Sequence, residues 1–327
     1  MPSWRIVHVT NSSSEDMKKQ VQRFWEGDYV WMTQSRLEKS WGGEAYGLAA
    51  AFVDDLCVGT TSYTISARGQ GILSQVYTDE RYRGRGIARD TIEETLDTFK
   101  ENGARAVYLA AWAERIRDIY RRRGFKLEGT MGERGAFKLT LTESGEDENL
   151  FRVGQQTLIR PMAKGDQADI TSLFVTKHPC VVKHYDLGCF LGSYFEGEFY
   201  ILQNQTVAGI VPEEKKEKKG FRALVLDGEE TILGLGTVIP SSRRHEGHTG
   251  ILDFIVHPNY SGHADEMLKT LEEGCELEHL TVYIEKNEED KRRLLEHAGY
   301  KKLAFLEKQL QIGNEALDLV MYRKNFK

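Results

Sequence analysis

The chain has 327 residues, 40% of them hydrophobic and 29% charged, which is enough material for two globular domains and too balanced for a disordered or fibrous protein. Lys and Arg total 44 against 50 Asp and Glu, a formal net charge of −6, so the surface has no general reason to coat nucleic acid or an anionic membrane. No apolar run approaches the roughly 20 residues that span a bilayer, and the opening MPSWRIVHVTNSSS has no apolar stretch suited to secretion, so a cytoplasmic protein is expected.

In chain order, a first strand is followed by a polar helical region and then by a hairpin in AFVDDLCVGTTSYTI (51–65). A long third-to-fourth strand pair leads to the glycine turn Arg81-Tyr82-Arg83-Gly84-Arg85-Gly86. The next helix carries Ile92, Leu96 and Phe99 at helical spacing with Glu93, Glu94 and Asp97 outward, and stops near Asn102-Gly103. Ala106 to Trp112 is short and apolar, as a buried strand is. A second helix and a closing hairpin complete the half. The polar, turn-prone ESGEDENLFRVGQQ (143–156) marks a boundary, which divides the chain into 1–145 and 146–327.

The second half repeats this plan. VLDGEETILGLGTVI (225–239) matches the first hairpin, pairing Gly59 with Gly234. FIVHPNYSGHADE (254–266) lies over VYTDERYRGRGIA (76–88), pairing Tyr82 with Tyr260 and Gly84 with Gly262. The segment before Gly299 lies over that before Gly124, pairing Tyr120 with Leu295. Anchors in one order imply a duplicated α/β fold: two tandem domains, each a mixed, mostly antiparallel twisted sheet flanked by helices. An insertion from about Tyr200 to Gly220 carries the charged run EEKKEKK, expected to be a solvated loop.

Cys57, Cys180, Cys189 and Cys275 form no CxxC pair, which suits a reducing compartment. His178, Cys180, His184 and Cys189 cluster, followed by His245 and His248, but the spacing fits no zinc pattern, and no metal is expected.

The glycine turn carries the chemistry. Two glycines let consecutive N–H groups face one point, and the helix beginning at Ile87 adds its own unsatisfied amides, a setting for a phosphate or pyrophosphate. A P-loop would need Lys-Ser/Thr after Gly86, and a dinucleotide turn would need a small residue where Arg89 stands. Arg81, Gly84 and Gly86 instead complete an R-x-x-G-x-G pattern, and Tyr120 precedes Gly124-Phe125 by four residues. In both motifs the chain resembles the GNAT superfamily of N-acyltransferases, over 3–142 in element order and more faintly over 157–325.

The resemblance implies an acyl-CoA-dependent enzyme, with acetyl-CoA or another acyl-CoA as co-substrate and an amine as acceptor, attacking directly in a ternary complex. It places Val76, Tyr77 and Thr78 along the pantetheine arm. Arg81, Arg83, Gly84, Arg85, Gly86, Ile87 and Ala88 fall around the pyrophosphate, and Arg122 or Arg123 near the 3′-phosphate unless that helix face is merely solvated. Tyr120 is implied as the acid that protonates the departing thiolate. The carboxylate that many relatives carry early on the fourth strand is Ile72 here, and their pantetheine Asn is Ala113. Glu114 is therefore a candidate base, Glu44 another, and a water relay or a partly neutral amine would also serve.

In the second copy the turn reads Asn259-Tyr260-Ser261-Gly262-His263-Ala264-Asp265-Glu266, with carboxylates where phosphate would sit and Leu295 in place of the acid. It is expected to be a degenerate domain used for packing or acceptor selection, with one active site per chain. Trp25, Trp31, Trp41 and Tyr46 crowd the segment that lines the acceptor groove in this family, and aromatic walls attract an amine by cation–π forces. The expected reaction is N-acetylation of a small molecule's primary amine, antibiotic-like among others, with no nucleic acid or membrane partner. Protein lysine acetylation, a non-catalytic acyl-CoA sensor, and thioester hydrolysis or decarboxylation are the alternatives.

Overall fold

The computed structural model describes residues 3–26, 28–131, 134–142, 150–176, 183–184, 189–190, 221–241, 248–312 and 315–326. The runs Ala45–Val53 (β2) and Leu56–Ile65 (β3) are buried on both faces, as strands inside a helix-covered sheet must be. With Arg5–Val9 (β1), Gln70–Thr78 (β4), Ala106–Ala111 (β5), Lys126–Met131 (β6) and Arg134–Thr140 (β7) they form a sheet of order β1-β2-β3-β4-β5-β7-β6. On one face, Tyr46, Leu48, Ala50 and Phe52 pack with Val21 of helix α1 (Glu15–Gln22) and Leu37 of α2 (Asp28–Glu38). On the other, Tyr63, Ile65 and Leu73 meet Ile92, Leu96 and Phe99 of α3 (Ile87–Glu101), the stripe expected from its spacing. Helix α4 (Glu114–Arg121) follows β5.

The second sheet has the same order. Its strands are β8 (Leu158–Pro161), β11 (Arg222–Asp227), β12 (Ile232–Pro240), β13 (Thr249–Val256), β14 (His279–Glu285), β16 (Glu315–Asn325) and β15 (Lys301–Ile312), with β9 (Lys183–His184) and β10 (Cys189–Phe190) as a separate ribbon. Helix α5 (Gln167–Val175) follows β8, α6 (Ala264–Glu272) follows β13, and α7 (Glu289–His297) follows β14. Registers agree with the expected repeat at its anchor residues. Gly59 faces Ala51 and Thr78, and Gly234 faces Leu226 and Val256. The parallel pairs β4–β5 and β13–β14 run from Gln70↔Ala106 to Ile72↔Tyr108 and from Thr249↔His279 to Ile251↔Thr281.

By contacts, the chain divides into two compact units, one of Met1–Lys126, Phe137–Asp147 and Ala163–Ser172, the other of Leu127–Ala136, Glu148–Met162 and Leu173–Lys327. Thus 163–172, beyond the turn-prone boundary, groups with the first unit. His178, Cys180 and His245 of the His/Cys cluster, and the charged insertion, lie outside the described residues. Among the described residues, no helix is long and apolar enough to cross a membrane.

Candidate active site

Strands β4 and β5 stop pairing after Ile72 and Tyr108, although β4 continues to Thr78 and β5 to Ala111. Beyond that point their facing edges carry backbone groups with no ladder partner. Just there β4 bulges: the β3–β4 register shifts between Thr60 and Ser62, and Gln75 takes a left-handed φ of 51°. The bulge is held by Thr60, whose hydroxyl donates to the Gln75 carbonyl at 3.0 Å, and by the Gln75 side chain, which donates to Thr33 at 2.6 Å and accepts from the Tyr46 hydroxyl at 3.0 Å.

At the end of β4 the chain enters the glycine turn. Asp79 accepts from the Arg81 amide and from two guanidinium nitrogens of Arg81 at 3.1 and 3.0 Å. These bonds, with Arg23 nearby, hold the Asp79 carboxyl down at about 2. Arg81 therefore braces the turn. Arg83 donates to the Thr78 carbonyl and Arg85 to the Arg81 carbonyl, and both side chains are exposed. Gly84 and Gly86 have φ of 76° and 96°, a region that penalises any side chain with a Cβ. Close packing seats the helix that follows, because a Cβ on Gly59 would come within 2.5 Å of Ile87. Thr61 and Thr91 add a hydrogen bond of 2.9 Å between β3 and α3. The first backbone bond of α3 runs from Asp90 to Gly86, leaving the amides before it to an external acceptor.

Tyr120 lies on the inner face of α4, 5% exposed, in the core cluster with Leu109, Phe125 and Phe137. Its ring is edge-on to Phe125 at 5.8 Å, and burial pushes its phenol up to about 12. Glu114 is exposed at the start of the same helix. A hydrogen bond from Arg121, with Arg117 beside it, holds its carboxyl below the usual range, the setting of a helix N-terminal acid rather than of a proton acceptor. Arg123 is tied to Glu93 at 2.7 Å, whereas Arg122 is exposed.

The four aromatic acceptor candidates separate. Trp25 stands with Phe24 against Tyr77 of β4. Trp31, Trp41 and Tyr46 gather around Arg36, whose guanidinium lies 4.3 Å from the Trp41 ring centre and 5.2 Å from that of Tyr46. Arg36 is buried and donates to Glu44 at 2.8 and 3.3 Å and to Gln167 at 2.6 Å. Nearby, buried Asp169 accepts from Ser66 and Arg68 at 2.8 and 2.9 Å. Composition offers no signal for Arg36, Gln167 or Asp169. The bulge does leave a trace, since the first copy has one residue more between Gly71 and Val76 than the second has between Gly250 and Phe254.

Burial pushes the Glu44 carboxyl up to about 7, with Arg36 pulling the other way. A raised carboxyl keeps a proton in the folded state that the unfolded chain releases. Its contribution is therefore full below about pH 4.5 and lost as pH rises to about 7. Glu44→Gln is expected to remove a stability difference on the order of 3 kcal/mol across that window. Urea midpoints of both proteins measured from acid to neutral pH check this, and equal slopes would refute it.

The second unit lacks both devices. β12 and β13 pair in unbroken register from Gly234 to Pro240, without a bulge. Gly262 has no left-handed φ, and the turn is 3-10 over Pro258–His263, kinked at Tyr260, and leads into α6. Tyr260 is buried and bonded to Arg152 and Gln155, and Asn259 donates to Phe151. Lys291 of α7 reaches Asp253 at 2.5 Å and donates to the carbonyl of Phe254, the counterpart of Val76.

Residues 13–125 match the family model described as Acetyltransferase (GNAT) family. They are a GNAT acetyltransferase domain. No curated protein matches the chain. Among solved structures it is similar to a ribosomal-protein-alanine N-acetyltransferase from Brucella melitensis, at 18% identity and a TM-score of 0.40, over 52% of this chain and 99% of that one. A GNAT-family acetyltransferase from Streptococcus pneumoniae is similar at 15% identity and a TM-score of 0.40, over 53% and 100%. A spermidine N-acetyltransferase chimera from Vibrio cholerae matches at 16% identity and a TM-score of 0.37, over 52% and 96%. The GNAT family draws its acyl group from acetyl-CoA. The residues fit that co-substrate: the left-handed glycines and open amides suit a diphosphate, and the buried Thr78 hydroxyl, at the end of the splayed strand, has no partner among the described residues.

Proposed function

We propose that the protein is an acetyl-CoA-dependent N-acetyltransferase with one active site per chain, in residues 1–145, acting on the primary amine of a small molecule by direct attack in a ternary complex. The observation that carries this reading is the difference between the two copies. They share strand order and the pairing of their anchor residues, yet the β4 bulge and the left-handed glycine pair belong to the first alone. In this reading the amides from Gly84 to Arg89 hold the diphosphate, with Arg83 and Arg85 adding positive potential. Backbone groups of Val76 to Thr78 align the arm and polarise the thioester carbonyl. The amine nitrogen bonds to the acetyl carbon as the carbon–sulfur bond breaks, and Tyr120 gives the sulfur its proton. The amine's own proton leaves through water. Glu114 is not the base here, because its arginine partners stabilise the anion and weaken its pull on a proton. Residues 146–327 form a degenerate domain. Free thiols at Cys57 and Cys275 agree with a cytoplasmic setting.

Calorimetry on the full chain is expected to give one acetyl-CoA bound per chain, and a panel of primary amines to trigger release of the CoA thiol. Absence of heat would overturn the reading, two equivalents would overturn the single site, and binding without thiol release for any amine would make the protein a sensor.

A further inference from the structure

Two hydrogen-bond donors at the aromatic wall have no acceptor among the described residues. The indole N–H of Trp31 is buried and unpartnered. Lys164, from the 163–172 segment that groups with the first unit, places its ammonium 5.1 Å from the ring centre of Trp41 and 6.0 Å from that of Trp31. Burial lowers the affinity of this ammonium for its proton, and no carboxylate pairs with it among the described residues. A buried N–H left without an acceptor is destabilising, and a partly desolvated ammonium adds to that. One anionic oxygen pair would satisfy both donors.

The resident cation also changes what the tryptophans can bind. An acceptor ammonium seeking their faces would meet the like charge of Lys164. Arg36 is not an alternative anion partner, since Nε and Nη2 are committed to Glu44 and Gln167 and Nη1 to the Met32 sulfur. The wall is joined to the reaction centre by contact, from Trp41 to Arg36 to Tyr46 to Gln75 at the bulge.

The geometry points to a carboxylate subsite at Lys164 and Trp31, and hence to a zwitterionic acceptor whose primary amine lies toward the bulge and whose carboxylate lies between these donors. The amine end rests on the acetyltransferase reading above; the carboxylate subsite does not.

The test uses the full chain labelled at its indole nitrogens, with the Trp31 signal identified by its loss in Trp31→Phe. An ω-amino acid series from glycine to aminohexanoate is titrated beside the corresponding alkylamines. The Trp31 indole proton is expected to move downfield, saturably, with at least one amino acid and with none of the alkylamines. Lys164→Met is expected to weaken that binding at least about tenfold, or ~1.4 kcal/mol. In thiol-release assays the same variant is expected to raise KM for the amino acid and leave KM for acetyl-CoA unchanged. An unmoved indole signal throughout the series, equal shifts with alkylamines, or full binding by Lys164→Met would overturn the subsite. Failure of the acetyltransferase reading looks different: no heat with acetyl-CoA while the indole shift persists.

Discussion

Tyr120→Phe is expected to leave acetyl-CoA affinity unchanged and to lower turnover by about 10²- to 10⁴-fold. The ring is already part of the core with Leu109, Phe125 and Phe137, so removing only the oxygen keeps the packing, and the thermal midpoint should hardly move. What is lost is the proton that neutralises the departing thiolate. With its phenol pushed up to about 12 by burial, Tyr120 stays protonated across the working pH range, and no alkaline fall in turnover below that value is assigned to it. Steady-state rates beside calorimetric binding separate the outcomes. Undiminished turnover would remove Tyr120 as the acid, whereas weakened binding would make it a positioning residue for the pantetheine arm.

Gly86→Val is expected to raise the acetyl-CoA dissociation constant by about 10- to 100-fold, or ~1.4 to 2.8 kcal/mol. At φ of 96° a β-branched side chain is strained, and its Cβ would lie 3.1 Å from the Arg89 guanidinium. The guanidinium can swing away, but the backbone strain remains. Relieving it rotates the peptide and turns neighbouring amides from their common point. Gly262→Val is the internal control, because that glycine has no left-handed φ and a Cβ there meets nothing within 4 Å. Calorimetry on both variants decides. Equal affinity in the two would mean that the glycine turn does not hold the diphosphate.

Much of this was legible in the sequence because it is local. The apolar stripe of α3, the short buried run of β5, and the paired anchors of the two copies arise from periodicities and turn residues that act over a few positions. The expectation that the second copy is degenerate rests on equally local features, Asp265, Glu266 and Leu295. The placement of the aromatic candidates could not be read in the same way. Trp25, Trp31, Trp41 and Tyr46 look alike as aromatic residues in one stretch, yet folding sends Trp25 to Tyr77 and gathers the other three around Arg36. Gln167 reaches Arg36 from 131 positions away.

By itself, the sequence determined the duplicated sheet, the left-handed turn and the helix that carries Tyr120, since backbone sterics and residue period are properties of short segments. Only the tertiary structure decided which carboxylate is buried, which arginine braces the turn, and that Lys164 occupies the tryptophan wall. Those outcomes depend on desolvation and on pairing between distant residues, and neither has a local signature.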